Sequence, residues 1–306
     1  MGMQLIATQV LNGLQFGVLL FLLSAGLTLV FGIMNFVNLA HGSLYMMGAY
    51  VAAAVFNIYG SFYLALLAAI PAAILIGILL DRIVLAGLYS RDHLDQVLAT
   101  FGLILVFNEV VRYIWGSAPI YINAPAALRG TINLFGLPYP SYRFFIIAVG
   151  LLSGLFLYLL INKTRIGMLI RAGAADAEMV DAMGTNIRRL NTLIFGLGAG
   201  LAGLGGVMAG PILSVQPGMG EPILILTLVV IVTGGIGSVR GAFYGALIIG
   251  LVDTLGRAFL PGVFDELLQK SLAQAAGPAV ASMLIYLLMA VVLAVKPNGL
   301  FPARNG

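Results

Sequence analysis

Asn162-Lys-Thr-Arg-Ile-Gly-Met-Leu-Ile-Arg-Ala-Gly-Ala-Ala-Asp-Ala-Glu-Met-Val-Asp-Ala-Met-Gly-Thr-Asn-Ile-Arg-Arg189 is too charged to enter a bilayer, and the sequence on either side of it is almost free of charge. The contrast decides the fold class, because a polar loop between long apolar runs is the pattern of a chain that crosses a membrane repeatedly. Lys163, Arg165, Arg171, Arg188 and Arg189 mark the loop as cytoplasmic, since basic residues accumulate on that side. Asp176, Glu178 and Asp181 lie in its middle, so it is more than a cationic tether. Ala172 to Met183 holds mostly good helix formers, and Met179, Val180 and Met183 form an apolar strip at helical spacing. Gly184 follows where a helix end needs positive φ. The expectation is one short amphipathic helix that either lies on the membrane or meets a soluble partner.

Composition supports the membrane reading. Of 306 residues, 61% are hydrophobic and 8% are charged, against roughly 25% charged in soluble domains. The formal charge of +4 comes from basic residues scattered at span ends rather than from a block, which argues against a nucleic-acid face and for contact with lipid. There is no cysteine, and His41 and His93 are the only histidines. A disulfide framework is therefore excluded, and no metal site or cofactor is expected. Met1 to Gln4 lacks the basic start of a cleavable signal, so the first apolar run reads as a retained span.

About 20 apolar residues are needed to cross. On that length the sequence divides into eight or nine segments: Ala7–Phe31, Leu39–Asn57, Phe62–Leu80, Leu94–Trp115, Phe144–Ile161, Leu190–Ala209, Ile223–Gly237, Ala242–Leu260 and Pro278–Val295. Asn35, Asn38, His41 and Gly42 interrupt the second, which reads as a full span or as a broken, partly re-entrant one. Alternate connections carry the charge: Arg82 and Arg91, the 162–190 loop, Arg240, then Lys296 and Arg304. This places the N-terminus outside and the C-terminus in the cytoplasm. Val263 to Ala275, with Phe264, Leu267, Leu268 and Leu272 on one face and Glu266 four residues before Lys270, reads as an outer interfacial helix. No linker divides the chain, so 1–306 is expected to be a single all-α membrane domain.

The chemistry-bearing motifs narrow the function. Gly198, Gly200 and Gly203 spell G-x-G-x-x-G, but inside an apolar span rather than after a strand, so a dinucleotide site is not indicated. The four-residue spacing of Gly196 with Gly200, and of Gly206 with Gly210, instead suits close helix packing in lipid. No Gly-Lys pair occurs, hence no phosphate loop, and no Ser/His/Asp set suggests an enzyme. Glu109 with Arg112 and Asp253 with Arg257 have the spacing to neutralise each other on a helix face. Asn12, Gln15, Asn35, Asn38 and His41 have no such cancellation. They either bond between helices or line a hydrated path.

Gly32 to Tyr50, Leu98-Ala-Thr-Phe-Gly-Leu103, the 162–189 loop, Gln216-Pro-Gly-Met-Gly220 and Gly234 to Ala242 together resemble the permease subunits of branched-chain amino acid ABC transporters. The Asn-Phe-x-Asn-Leu-Ala-His-Gly run and Pro297-Asn-Gly-Leu-Phe301 are closest to the H-type subunit. The resemblance implies a multi-pass bacterial inner-membrane importer subunit, not itself an enzyme. Its implied partners are an M-type permease, two ATP-binding subunits and an extracytoplasmic solute-binding protein. It further implies that the loop with Thr164, Arg165, Gly167, Arg171, Asp176, Met179, Gly184 and Asn186 is the segment that couples to the ATPase; Glu178, from the acidic side of the expected helix, and Met183, from its apolar strip, are read as part of the same contact. Thr185 stands where the family more often has Ile or Val. Branched-chain amino acids are the expected solutes, with urea, short amides or aromatic acids, or an ion-coupled secondary transporter, as alternatives.

Overall fold

Unbroken apolar runs fold as helices because nothing in a hydrocarbon layer can satisfy backbone groups except the segment itself. The computed structural model describes residues 2–134, 136–267 and 270–302. Its helices are α1 (Gly2–Met34), α2 (His41–Tyr59), α3 (Phe62–Ile83), α4 (His93–Trp115), α5 (Ser141–Lys163), α6 (Arg165–Ala175), α7 (Ala177–Ala182), α8 (Ile187–Ala209), α9 (Gly220–Gly234), α10 (Val239–Leu267) and α11 (Lys270–Val295). Among the described residues, α1, α3, α4, α5, α8, α10 and α11 contain the seven segments long and apolar enough to cross a bilayer. One departure from an all-helical fold is a small antiparallel hairpin, β1 (Thr131–Leu134) with β2 (Leu137–Pro140), in the loop before α5.

The basic connections gather at one end of the bundle. Thr192 at the start of α8 donates to Asp81 at the end of α3 (2.7 Å), and Gly32 near the end of α1 packs on Gly237 before α10. The C-terminal stretch joins them through Leu300 N to the Thr233 carbonyl (2.9 Å) and Phe301 N to the Gly234 carbonyl (2.8 Å). At the opposite end the hairpin meets α1, Tyr142 donates to the Met208 carbonyl (2.9 Å), and Ile120 bridges Val215.

α1 is the central post, buried on all sides from Gly17 to Val30. Small residues let it sit against its neighbours: Gly26 faces Gly198 of α8, and Gly17 lies on the α10 backbone at Ala246 and Leu247. The expected packing glycines in and just after α8 divide among three partners. Gly196 and Gly200 lie under Ile78 and Ile74 of α3, where an added Cβ would stand 3.1 and 2.9 Å from those side chains. Gly206 lies on the α2 backbone, where a Cβ would overlap the Tyr45 carbonyl, and Gly210 packs under Ile122.

Two apolar stretches are only partly helical. After α1, residues 35–40 run non-helically with Phe36, Asn38 and Ala40 buried, and α2 begins at His41, whose ring reaches Gly26 in mid-helix of α1. The break falls on the Asn-rich interruption read from the sequence. α9 has 15 residues, about 22 Å at 1.5 Å per residue, which is short of a 30 Å hydrocarbon layer. The interfacial helix expected between Val263 and Ala275 is not a separate element. Val263–Leu267 completes α10, and Leu272 falls in α11, because the flanking apolar runs continue helically through Pro261 and Pro278. The Glu266–Lys270 pair and Arg304 involve side chains outside the described residues.

Candidate functional site

The polar loop folds as two helices, and the break corrects the single helix expected from Ala172 to Met183. Thr164 starts α6 early by accepting from Gly167 N (3.1 Å). Asp176 then leaves the helical region at φ −157° and accepts from Met179 N (2.9 Å), so it caps α7 rather than continuing α6. Short polar side chains compete for the backbone in this way, which favours caps over helix interiors. Gly184 ends α7 at φ 88°, with Thr185 N returning to the Val180 carbonyl (3.2 Å). That is the predicted glycine stop. Asn186 opens α8 by accepting from Arg189 N (3.0 Å).

This elbow is seated firmly on the bundle. Gly167 lies against the last turn of α5, where a Cβ would overlap the Leu160 and Ile161 carbonyls, and Arg171 donates to the Ile161 carbonyl. Ile170, Gly173 and Val180 are buried. Val180 therefore leaves the expected apolar strip, whereas Met179 is 59% and Met183 79% exposed. Arg165, Asp176, Glu178 and Asp181 share the exposed surface. The result is an acid-edged surface that exposes two flexible apolar side chains.

The five polar residues read as a set fall into two places. Asn12 accepts from Arg143 (2.6 Å) and Tyr139 (3.3 Å) and donates to Gln9 (3.1 Å). With the buried Gln15 it lines a crevice shared with Arg143, Asp253 and Arg257. Asn35 is 23 residues further along, about 35 Å on a helix axis. There it stops α1 in the left-handed region (φ 47°) and is exposed. Asn38 and His41 are 1% and 0% exposed, and among the described residues neither amide atom nor either ring nitrogen has a hydrogen-bond partner. The two expected ion pairs are present, Arg112–Glu109 at 2.6 Å and Arg257–Asp253 at 2.9 Å.

Two polar contacts escaped the sequence reading. Asp81, 2% exposed, accepts from Tyr89 and Thr192 and ties α3, the following turn and α8 together beside the loop. Asn108 in α4 donates to Glu221 (2.6 Å) and accepts from Gly218 N (3.1 Å). The partners stand 113 residues apart, and no local spacing announces such a pair. Alternation of the basic connections places Pro211 to Pro222, and Glu221 with it, in an outer loop, whereas the folded chain carries Gly220 back against Gly42 of α2.

The geometry so far is that of a helical membrane bundle with a glycine-packed core and a capped elbow at its basic end. The family model for the permease component of branched-chain amino acid transport systems matches residues 9–293. The chain belongs to this family. Among similar proteins within this permease family, the high-affinity branched-chain amino acid transport system permease BraD of Pseudomonas aeruginosa is 30% identical over 265 residues, covering 81% of this chain and 85% of BraD. LivH of Escherichia coli K12, named as the same kind of permease, is 28% identical over 306 residues, covering 95% of this chain and 94% of LivH. The ribose import permease RbsC of the same organism is 25% identical, covering 76% of this chain and 72% of RbsC. Of solved structures, PsaBC from Streptococcus pneumoniae in complex with Fab aligns at a TM-score of 0.48 and 11% identity, over 94% of this chain and 91% of that one.

Proposed function

We propose that this permease is the H-type membrane subunit of an ABC importer, passing branched-chain amino acids inward across the plasma membrane. Separate ATP-binding subunits supply the energy. The relatives' names support the solute class, and the α6–α7 elbow carries the mechanism. The chain has no phosphate loop of its own, so ATP-driven change must enter through a surface that a partner contacts differently in two states. The exposed, capped and anchored elbow is that surface. An M-type subunit pairs with this one, two ATPases dock at the basic end, and a solute-binding protein delivers at the other. The test is reconstitution: the complex in proteoliposomes is expected to take up leucine, isoleucine or valine only with ATP and the loaded binding protein. ATP-dependent uptake of none of the three would overturn the reading.

In this reading the chain passes the bilayer nine times, with α2 and α9 as the helical parts of two broken passages. The N-terminus lies outside and the basic end faces the cytoplasm. A reporter fused after Gly306 is expected to read cytoplasmic and one inserted near Asn123 external; both on one side would exclude this topology.

The buried Asn38 amide offers a separate test of the pathway assigned to Asn12, Gln15, Asn35, Asn38 and His41. Replacing an unpartnered buried amide by an apolar group of similar size is near-neutral or stabilising. Asn38→Leu is therefore expected to keep or raise the melting temperature of the purified complex while lowering uptake several-fold. Unchanged uptake in a well-assembled variant would make the amide a packing element.

A further inference from the structure

Between α1, α5 and α10, at the basic end, lies a groove with a cavity volume of about 1200 Å³. Small-molecule sites commonly occupy about 300–1,000 Å³, so the space is larger than one amino acid needs. Along α1 it runs from Ile33 to Phe21, 12 residues or about 18 Å, and along α5 from Asn162 to Leu151, 11 residues or about 16 Å. These lengths match one leaflet, half of a hydrocarbon layer about 30 Å thick. Leu151 and Leu155 are 50% and 53% exposed, so the groove opens sideways. At its deep end Phe21 and Phe243 meet edge to face, ring centroids 5.0 Å apart.

The charged groups sit at the mouth and carry one sign. Arg171 of α6 and Arg240 of α10 both line the groove, and none of its lining residues is acidic. Arg240 is exposed and has no ion pair among the described residues. Arg171 donates to the Ile161 carbonyl, which leaves most of its five N–H donors for another acceptor. α10 begins at Val239, and Ser238 to Arg240 line the mouth, so the partial positive charge of a helix N-terminus adds to the two guanidiniums. Deeper, Thr28 lines the groove at 0% exposure, and its hydroxyl has no hydrogen-bond partner among the described residues. It stands five residues, about 7 Å, further in than Ile33. A buried hydroxyl left unpaired is costly, which points to a bound group that accepts from it.

We propose that this groove binds one anionic phospholipid from the leaflet at the basic end. Its phosphate lies between Arg171, Arg240 and the start of α10, an acyl-ester carbonyl accepts from Thr28, and an acyl chain runs past Leu29, Leu151 and Leu155 towards Phe21. Basic pockets between membrane helices hold such headgroups. A face of the second permease would have to supply both an apolar ridge one leaflet long and an anion at its end, whereas a phospholipid is built that way. The lipid touches α1, α5, α10 and the α6 half of the elbow at once, and so braces the elbow on the bundle. The site goes beyond the importer reading and rests on it only for which leaflet supplies the lipid.

The test uses the assembled complex in phosphatidylcholine nanodiscs holding a trace of phosphatidylglycerol with a photoreactive acyl chain. Crosslinks are expected within residues 21–33 and 151–162, and unlabelled phosphatidylglycerol should compete them away while added phosphatidylcholine should not. Arg240→Gln removes one exposed charge at the mouth. It is expected to lower both the crosslink yield and the phosphatidylglycerol retained in native mass spectrometry about tenfold, the effect of one charge-assisted hydrogen bond. Arg189→Gln, also exposed but not lining the groove, should change neither. Crosslinks confined to other surfaces, equal competition by phosphatidylcholine, or equal losses in the two variants would overturn the site. Should Arg240→Gln fail to assemble, the wild-type crosslinks and their competition decide alone. Neither measurement uses uptake, so a complex that moves no branched-chain amino acid would overturn the importer reading and leave the lipid site standing.

Discussion

Met179→Asp is expected to abolish coupling while leaving the permease assembled. Met179 is 59% exposed on α7, and its backbone N–H, not its side chain, makes the capping bond to Asp176. The aspartate therefore costs the isolated subunit little. In the complex it would bury an unpaired charge where an apolar side chain belongs, which costs several kcal/mol, and each 1.4 kcal/mol is about tenfold in a docking equilibrium. Substrate-stimulated ATP hydrolysis and uptake should both fall at least tenfold in proteoliposomes, with normal co-purification of the second permease. Glu178→Gln, which removes only an exposed charge, should do much less, since such pairs contribute about 0–1 kcal/mol. Wild-type stimulation in Met179→Asp would make α7 a membrane-surface element.

Gly206→Ala is expected to be the most damaging single-methyl change in α8. Its Cβ would overlap the Tyr45 carbonyl and stand 3.1 Å from the Ala49 amide nitrogen. Backbone cannot rotate aside, so α2 and α8 must separate, and the loss should exceed the roughly 1–3 kcal/mol typical of core overpacking. Gly196→Ala meets only the Ile78 and Ile74 side chains, at 3.1 Å and beyond, and these have rotamers to give. The measurement is the fraction of folded, monodisperse protein in detergent: Gly206→Ala should lose most of it and Gly196→Ala little. Equal losses would show that helix propensity or lipid contact, rather than backbone approach, sets the glycine requirement.

The two experiments probe different parts of what was legible beforehand. Seven of the nine expected apolar spans, the segregation of basic connections, the ion pairs of Glu109 and Asp253, and the stop at Gly184 all follow from the sequence, because each depends on local spacing or on the cost of moving charge into hydrocarbon. The interruption by Asn35, Asn38, His41 and Gly42 was legible for the same reason, but the sequence left a full span and a broken one both open there, and the fold shows the break at 35–40. Tertiary structure decided the rest. It turned Asp176 from a helix-surface acid into a cap, and moved Val180 from a docking strip into the core. It split the five polar residues between the N-terminal part of α1 and the stretch from the end of α1 to the start of α2, and gave Gly196 and Gly206 different partners. Above all it carried Glu221 out of an apparent loop to Asn108 and the start of α2. The physical reason is common to these cases. Transfer into lipid acts on each segment separately and is written in composition, whereas which side chains meet across helices depends on how closely backbones approach, and that is settled only when all the helices pack at once.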